Sequence, residues 1–246
     1  MSYIEYKPAS RIGDLIDCYW MLTVRAGGKR VRKPVFPDGG TELFINTGVS
    51  ASYLNGVLLQ PGHMYLLGTK VSAGIFCIEP DSGLMGIRFK PGAVLSFYDA
   101  PVARLVDEVI EYPDLELLSR LRPGRGMFSR FDHYFTHKVL PSQADVLLMV
   151  REIGESRGRI GVHDLSEKYH ISPRTMQRVF KYALGISPKA YIKIVRFREV
   201  LKKLQESACR ESLLRIAFDT GYYDHAHLTH EFKRYTGLNP ADVMLT

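Results

Sequence analysis

Short apolar segments separated by turn residues dominate the first hundred residues of the chain. The segments are rich in aromatic and β-branched residues, which favour extended backbone. They are Leu15–Val24, Glu42–Asn46, Met64–Leu67, Ile75–Ile78 and Leu84–Phe89. The intervening residues supply turn chemistry, as in Pro37-Asp-Gly-Gly40 and Asn55-Gly56. This spacing predicts a β-barrel or β-sandwich in the N-terminal part.

The pattern becomes helical from about Pro101. Four amphipathic segments follow, Val102–Val109, Asp114–Leu121, Met127–Lys138 and Ser142–Glu155. Arg122-Pro-Gly-Arg-Gly126 breaks the series, and Pro141-Ser142 offers an N-cap for the last segment. The polar, Gly-containing run Glu155–Arg159 is the best candidate linker. We therefore predict an α+β protein of two domains: residues 1–140, with strands followed by helices, and residues 141–246, all α.

The pattern over Val162–Lys181 predicts two helices joined by a tight turn. Asp164 can cap the first helix, and Ser172 with Pro173 can begin the second. Five apolar residues share one face and would form a small core: Leu165, Ile171, Met176, Val179 and Phe180. The opposite face of the second helix carries Arg174, Thr175, Gln177, Arg178 and Lys181. This layout is typical of a helix-turn-helix, whose second helix enters the major groove of DNA.

The same layout recurs over Ser212–Lys233. Gly221 supplies the turn and Asp224 the N-cap. The core face carries Leu214, Ala217, Leu228 and Phe232. Both units end alike, because Phe180–Pro188 and Phe232–Pro240 share Phe-Lys at the start, then Gly, then Pro at the same spacing. The chain therefore contains an internal duplication.

Pro188–Glu206, between the units, predicts one uninterrupted helix because it contains no internal Gly or Pro. At ~1.5 Å per residue, its length is on the order of 28 Å. Such a helix can hold two recognition helices about one turn of DNA, ~34 Å, apart. One chain would then contact two successive major grooves. The candidate base contacts are Arg174, Arg178 and Gln177, and the candidate phosphate contacts are Lys181 and Lys233.

Charge and composition narrow the class of protein. The 246 residues carry 33 Lys and Arg against 26 Asp and Glu, a net charge of +7. Residues 145–246 hold 17 of the basic and 12 of the acidic residues, so most of the excess lies in the helix-turn-helix part. That location agrees with nucleic-acid binding. Cys18, Cys77 and Cys209 are too few and too widely spaced for a disulfide scaffold. No apolar run is long enough to cross a membrane, so we expect a cytoplasmic protein without a membrane partner.

The C-terminal part resembles the AraC/XylS family of bacterial transcription regulators. The strongest likeness lies in Ser212–Pro240, through Ile216-Ala-Phe-Asp-Thr-Gly-Tyr222, Asp224, Phe232-Lys-Arg234 and Gly237-Leu-Asn-Pro240. The first unit matches through Leu165, Ser172, Gln177-Arg178, Phe180-Lys181 and Gly185-Ile-Ser-Pro188. The resemblance implies a sequence-specific regulator of transcription that binds double-stranded operator DNA and RNA polymerase. Activation or repression, and homodimerisation, stay open.

The resemblance also implies which residues face DNA. They are Ser172, Arg174, Thr175, Gln177, Arg178 and Lys181 in the first unit, and His225, Ala226, His227, His230 and Lys233 in the second. His230 stands where many members have Arg. A neutral imidazole lacks the permanent charge and the forked donors of Arg. We therefore expect the second unit to bind its half-site more loosely than the first.

The N-terminal part carries a second resemblance. Pro37-Asp-Gly-Gly-Thr-Glu-Leu43 and Gly86-Ile-Arg-Phe-Lys-Pro-Gly92 are similar to segments of an uncharacterised domain often found ahead of AraC-type modules. The resemblance implies a cupin-like fold or a related small barrel. It also implies sensing of a small-molecule effector or dimerisation. The effector and the operator stay open.

The rival interpretation is a cupin-like, metal-dependent enzyme that carries a DNA-targeting module. Its candidate ligands are Glu42 with His63, and the helical pair His133 and His137. The clustered histidines of a cupin metal site are absent, and no catalytic set can be assembled from residues 1–144. The group His225, His227 and His230 does not converge on one point of a helix. We therefore expect no catalytic residue, no metal and no cofactor.

Three other features have ordinary structural interpretations. Arg30-Val-Arg-Lys33 is expected to be a solvated loop, because short basic runs usually are. Trp20 is expected to lie in the core or at its rim. Cys209 is expected to be a packing thiol, because the metal-held cysteines of alkylation-repair proteins are absent.

Overall fold

The computed structural model describes residues 1–121, 126–140, 144–206 and 212–244. Three expectations concern residues outside these ranges: the helix-interrupting segment, of which residues 122–125 are not described, the N-cap at Pro141-Ser142 and the packing thiol Cys209. Within the described ranges, strands come first and helices second, as the hydrophobic pattern predicts. No described helix has the length and apolar character needed to cross a membrane.

The strands form two antiparallel sheets. They are β1 (Ser2–Tyr6), β2 (Ile16–Val24), β3 (Val31–Val35), β4 (Thr41–Asn46), β5 (Ser52–Leu54), β6 (Val57–Leu59), β7 (Met64–Leu67), β8 (Gly74–Ile78), β9 (Ser82–Phe89) and β10 (Val109–Glu111). One sheet has the order β1-β2-β9-β4-β7-β10, and the other has the order β3-β8-β5-β6. The five strands expected from sequence are β2, β4, β7, β8 and β9.

Helices follow the sheets. They are α1 (Leu115–Arg120), α2 (Met127–Lys138), α3 (Ala144–Glu155), α4 (Val162–Lys168), α5 (Pro173–Leu184), α6 (Pro188–Glu206), α7 (Leu213–Asp219), α8 (His225–Thr236) and α9 (Pro240–Met244). The bounds of α2 and α6 are those expected from sequence. The remaining predicted helices of the C-terminal part are all present, with small shifts at their ends.

The helix predicted over Val102–Val109 is wrong. Val102–Arg104 forms a single 3-10 turn, and Val109 begins β10, which pairs with β7. Between them, Asp107 has a φ of 59°, and its carboxylate accepts hydrogen bonds from the backbone N–H groups of Val71 and Ser72. A left-handed residue fastened to another loop interrupts a helix, whatever the amphipathic pattern around it.

The basic run at residues 30–33 is not a solvated loop, because most of it lies in β3. Side chains alternate along a strand, so Arg32 is exposed, whereas Lys33 lies on the inner side. Its ammonium is 3.5 Å from the centre of the Tyr3 ring. One cation of the run, Lys33, is therefore half-buried on the inner side of β3.

The six-stranded sheet is covered on both faces. Between the two sheets, Trp20 and Phe44 pack against Phe76 of β8. On the other face, Tyr19 and Phe89 belong to a core that α2 completes with Phe131, Tyr134 and Phe135. All six residues of β4 are buried as a result, including its polar ones.

A separate hydrophobic core holds the helices from α3 onward. The residues α3 contributes are Val146, Met149, Val150 and Ile153. The helix α2 therefore packs in the core of the sheets, whereas α3 packs in the core of the C-terminal helices. The predicted division at residues 140 and 141 lies next to residues 141–143, which are outside the described ranges, so the boundary itself stays a prediction.

A buried charge network joins β4, β9 and the loops beside them. Glu42 Oε1 lies 2.8 Å from Lys70 Nζ and 2.8 Å from Arg88 Nε. Lys70 Nζ also lies 2.9 Å from Asp38 Oδ2. Burial alone would raise the pKa of Glu42, but Lys70 and Arg88 outweigh burial and hold the pKa at about 2. Glu42 is therefore a carboxylate at every pH at which the protein is expected to work.

Glu42→Gln is expected to destabilise the fold by about 3–5 kcal/mol at neutral pH, because Lys70 and Arg88 lose their shared anion. The stabilisation by wild-type Glu42 is complete above the ordinary pKa of 4.5 and is lost as the pH falls toward 2. Urea unfolding measured from neutral pH down to about pH 3 should therefore show a shallower pH dependence in the variant.

The matched control is Glu116→Gln. Glu116 is an exposed carboxylate, paired with Arg120 at 2.9 Å, so its loss should cost less than about 1 kcal/mol. An unchanged pH dependence in Glu42→Gln would contradict the assigned role.

Candidate nucleic-acid interface

The first helix-turn-helix unit consists of α4 and α5. Ser172 is the N-cap of α5, because its Oγ accepts a hydrogen bond from the Thr175 N–H at 3.1 Å, and Pro173 is the first helical residue. Both roles agree with the sequence prediction. The predicted N-cap of α4 is wrong: Gly161 occupies that position, and Asp164 accepts from the Gly161 N–H at 3.1 Å from within the first turn.

The outer face of α5 is polar and accessible. Met176 and Phe180 are fully buried, as is Leu165 of α4, whereas Ile171 and Val179 are only partly buried at the edge of the core. Of the six residues of this unit predicted to face DNA, Ser172 is exposed at the N-cap. The other five line one surface groove of about 460 Å³: Arg174, Thr175, Gln177, Arg178 and Lys181. Lys181 Nζ also donates to the Gly185 carbonyl at 2.7 Å, at the end of the helix.

The second unit consists of α7 and α8. Asp224 is the N-cap of α8 and accepts from the His227 N–H at 2.7 Å, while Gly221 has a φ of 80° in the turn. These two roles agree with the sequence prediction. The predicted core residues Ala217, Leu228 and Phe232 are fully buried. The exposed residues of α8 include all five predicted DNA contacts: His225, Ala226, His227, His230 and Lys233.

Leu214 was expected in the core of the second unit, and this expectation is wrong. Its side chain is 46% exposed. The α7 helix begins at Leu213, after the N-cap Ser212, and turns Ile216 and Ala217 inward. With those two residues facing the core, the helical period leaves Leu214 on the outer side.

The electrostatics of the two recognition helices favour an anionic partner. Within the described residues, neither Arg174 nor Arg178 has a carboxylate partner. The acidic residue inside α8, Glu231, is buried, and its oxygens lie 3.0 Å from Lys193 Nζ and 3.1 Å from Tyr222 Oη. Burial and this carboxylate raise the pKa of the Tyr222 hydroxyl. The outward faces therefore present cations and hydrogen-bond donors without a competing local anion.

The long helix α6 contacts both units. Phe197 packs against Phe232 and Tyr235 of α8, with ring centres 5.5 and 4.9 Å apart. Tyr191 packs against Phe180 of α5 at 6.3 Å. Arg196 Nη2 donates to the Gly158 carbonyl at 3.0 Å. The two recognition helices are thus held on a common strut of nineteen residues.

A second candidate site lies in the N-terminal domain, and sequence reasoning did not find it. A cavity of about 190 Å³ opens between the sheets. It is lined by apolar residues, among them Trp20, Leu22 and Phe76, by cations from both domains, Lys33, Lys70, Arg88 and Arg198, and by the acidic pair Asp38 and Glu42. Lys70 and Arg88 are engaged by Glu42.

The other two cations of the cavity have no carboxylate partner among the described residues. They are Lys33 of β3 and Arg198 of α6. Burial, followed by the charge of Arg88, lowers the pKa of Lys33. Trp20 Nε1, in a side chain only 3% exposed, also has no acceptor there. The cavity therefore offers two cations without a carboxylate partner beside an apolar wall, one of them, Lys33, against the ring of Tyr3.

The signal for this site was present in the sequence. The segments Pro37–Leu43 and Gly86–Gly92, noted for their resemblance to a known domain, contain Asp38, Glu42 and Arg88. Pairing of β4 with β9 places Glu42 directly opposite Arg88. The contribution of Lys33 could not be anticipated, because it depends on the strand register of a run that looked like a loop.

The two domains meet beside this cavity. Gly39 has a φ of 71°, and a Cβ there would lie 2.7 Å from Cε2 of Tyr191 in α6. A Cβ at Gly185, after α5, would lie 2.7 Å from Val106 Cγ2 and 2.8 Å from the Val102 carbonyl oxygen. Both glycines permit a close approach that any side chain would prevent. The loop at residues 37–40 therefore connects the charge network to the strut.

The metal-site candidates do not assemble. Glu42 is occupied by two cations, and His63 Nδ1 lies 2.9 Å from Glu111 Oε1 instead. His133 and His137 have ring centres 4.3 Å apart, but His137 Nδ1 contacts the His133 carbonyl. Among the described residues, no three His, Cys, Asp or Glu side chains are grouped as a metal site requires.

Comparison with known proteins finds relatives of the part of the chain that holds the two helix-turn-helix units. A family described as a helix-turn-helix domain matches residues 165–245. An uncharacterised HTH-type transcriptional regulator of Haemophilus influenzae is 31% identical over 80 residues, which are 32% of this chain and 26% of that protein. The HTH-type transcriptional activator RhaS of Klebsiella pneumoniae is 30% identical over 80 residues, which are 32% of this chain and 28% of that protein.

The C-terminal part is an AraC-type helix-turn-helix domain. Residues 4–111 match a second family, described as a domain of unknown function (DUF6597). Both resemblances inferred from sequence are thereby confirmed. The matches to these curated relatives span about a quarter of the relatives' own length.

The fold as a whole is shared with ToxT of Vibrio cholerae. An apo form of ToxT matches over 92% of this chain and 97% of that chain, with a TM-score of 0.52 and 10% identity. A form with a bound unsaturated fatty acid covers 92% and 93%, with a TM-score of 0.50 and 12% identity. At these identities the likeness concerns the fold alone. It confirms the predicted order of a β-rich domain followed by an AraC-type helical module.

Arg178→Ala is expected to weaken specific DNA binding by the AraC-type domain by ~1–3 kcal/mol and to relax the preference at one base pair, because an exposed Arg on the recognition helix is suited to guanine. Lys181→Ala should instead lower affinity for all sequences and reduce the salt dependence. Fluorescence anisotropy on matched and single-mismatch duplexes distinguishes the two effects.

Lys181→Ala also removes a hydrogen bond to Gly185, so a thermal unfolding curve of the variant is the necessary control. Unaltered base preference in a folded Arg178→Ala protein would exclude Arg178 as a base contact.

Proposed function

We propose that the chain is a transcription regulator that contacts two successive major grooves of one operator, with α5 in the first and α8 in the second. The observation that carries this proposal is the pair of matched units on one strut. At ~1.5 Å per residue, α6 is on the order of 28 Å long, close to the ~34 Å repeat of DNA. Each unit exposes a donor-rich face with no local anion in competition.

We infer that the N-terminal domain, residues 1–140, binds a small anionic molecule with an apolar part. Lys33 and Arg198 supply positive charge without a carboxylate partner among the described residues, and Trp20 with Phe76 supplies an apolar wall. An anion would gain charge-assisted hydrogen bonds there, while its apolar part leaves water. The fatty acid bound to ToxT, a protein of the same fold, supports this class of ligand.

The proposed effector would act on DNA binding through α6. Arg198 belongs to that helix, so a ligand held by Lys33 and Arg198 joins the β-rich domain to the strut. The loop at residues 37–40 lies between the charge network and Tyr191 of the same helix. A change in the cavity is thus transmitted to the element that fixes the spacing of α5 and α8.

Further partners follow from the same proposal. We expect the chain to activate transcription, because the RhaS relatives are activators by name, and we expect RNA polymerase to be its partner in doing so. The cytoplasm is the compartment in which such a regulator meets DNA. Contact with two half-sites does not require a homodimer, because one chain already carries two recognition helices.

Selection of bound sequences from a random pool of duplex DNA tests the regulator proposal. Two dissimilar half-sites about one helical turn apart are expected, because α5 and α8 differ in their exposed residues. A palindrome of two identical pairs would indicate a dimer. Recovery of no preferred sequence would contradict the proposal. Stoichiometric metal in the purified protein, together with turnover of a substrate, would favour the enzyme interpretation instead.

Straight-chain carboxylates from octanoate to oleate are expected to quench or shift the fluorescence of Trp20, the single tryptophan of the chain, in a saturable way. Lys33→Met should weaken this binding by about tenfold or more, because a charge-assisted hydrogen bond is lost. The corresponding alcohols should bind more weakly to the wild-type protein.

Arg32→Met is the matched control, because Arg32 is the neighbouring residue of β3 and its side chain lies on the exposed side. It should bind carboxylates like the wild type. Equal loss in both variants, or no saturable response to any carboxylate, would contradict the proposed anion site.

A further inference from the structure

The two recognition helices carry different side chains at equivalent positions. The units align through their buried residues, with Met176 matching Leu228 and Phe180 matching Phe232. The equivalent outer pairs are Arg174 and Ala226, Thr175 and His227, Arg178 and His230, and Lys181 and Lys233. Both permanent arginine charges of the α5 face are therefore missing from α8. A methyl group replaces one, and an imidazole replaces the other.

His230 lies at the centre of the exposed face of α8. Ala226 is one turn before it and Lys233 one turn after it, and all three are exposed. His227 is three residues before His230, on the adjoining side, with 48% of its side chain exposed. Because Ala226 has no long side chain, the space beside the His230 imidazole is open to a ligand.

The groups around α8 leave positive charge at His230 unopposed. The nearest acid on the helix is Glu231, which is buried and engaged by Lys193 and Tyr222, with Oε2 4.0 Å from His227 Nε2. The other acids of the neighbouring elements have their own partners: Asp224 caps α8, Asp219 binds Lys203, and Asp242 binds Asn239. The neighbouring cations of α8 are Lys233 and Arg234, and a further exposed imidazole is His225.

We propose that α8 binds DNA in a proton-dependent way, in which the imidazolium of His230, supported by that of His227, donates hydrogen bonds to acceptor atoms of the second half-site. The inference rests on the proposed regulator function. The charge of an imidazole depends on whether its second ring nitrogen is protonated, whereas the guanidinium of Arg178 in α5 is charged permanently. We therefore expect the affinity of α8 for the second half-site to depend on pH, and the affinity of α5 for the first half-site not to depend on it.

The direction of the effect follows from linkage. DNA phosphates stabilise the protonated imidazole, so binding takes up a proton and becomes tighter as the pH falls. For one proton taken up on binding, the affinity changes by at most tenfold per pH unit. The Kd for the complete operator is therefore expected to be several-fold higher at about pH 8 than at about pH 6.

The test uses the full-length protein and the duplex recovered by selection, with anisotropy measured at about pH 6, 7 and 8 and constant ionic strength. His230→Gln should lose most of the pH dependence and bind at pH 6 about as weakly as the wild type does at pH 8. His230→Arg should also lose the pH dependence, but it should bind tightly at every pH because its charge is permanent.

Two controls isolate the second half-site. His133→Gln removes an exposed imidazole on α2, outside both recognition helices, and should retain the wild-type pH dependence. A duplex with the second half-site scrambled should bind the wild type with little pH dependence, because only α5 then makes specific contacts.

The inference is overturned if His230→Gln keeps the wild-type pH dependence, or if that dependence survives on the duplex with the scrambled second half-site. Sequence-specific binding with no pH dependence would overturn this inference and leave the regulator proposal standing. Absence of any sequence-specific binding would contradict both, so the two failures are distinguishable.

Discussion

The carboxylate of Glu42, buried between Lys70 and Arg88, is the interaction on which the N-terminal domain depends. A charge in this position costs several kcal/mol in desolvation, so each neighbour must be held in place to repay that cost. Arg88 extends the network to Glu5 of the edge strand β1, at 3.1 Å. Lys70 extends it to Asp38, in the loop before β4. One buried anion thereby fixes an edge strand, two central strands and a loop relative to one another.

That loop is also where the two domains touch. Asp38 Oδ1 accepts from the Gly40 N–H at 2.8 Å, which holds the turn in which Gly39 approaches Tyr191 of α6. Tyr191 is buried, and burial together with Asp38 raises the pKa of its hydroxyl. The charge network thus ends on the strut that carries both recognition helices. Domain contact and cavity wall are parts of one arrangement, which explains why Arg198 of the strut can line a cavity between the sheets.

Local signals predicted the elements that are determined locally. The caps Ser172 and Asp224, the turn at Gly221 and the bounds of α6 follow from backbone chemistry within a few residues. Five of the described strands were missed. The strands β1, β3, β6 and β10 lie at sheet edges, where pairing with another strand decides the conformation, and β5 has only three residues. Lys33 shows the consequence for the site, since its inward direction depends on the register of β3 against β8. Sequence patterns therefore could not predict that Lys33 lines the cavity, although the segments that hold Glu42 and Arg88 were noted.

The two helix-turn-helix units share one fold but differ in the residues at equivalent positions of α5 and α8. Val179 of α5 corresponds to Glu231 of α8, which binds Lys193 of the strut and Tyr222 of its own turn. Val179 is an apolar residue at the edge of the helical core, whereas Glu231 is buried and forms an ion pair with α6 at the equivalent position. Because Glu231 is buried and paired with Lys193, its negative charge does not neutralise the outer face of α8. The charge of that face is therefore set by its exposed residues alone, with His230 at its centre and Lys233 one turn further along the helix.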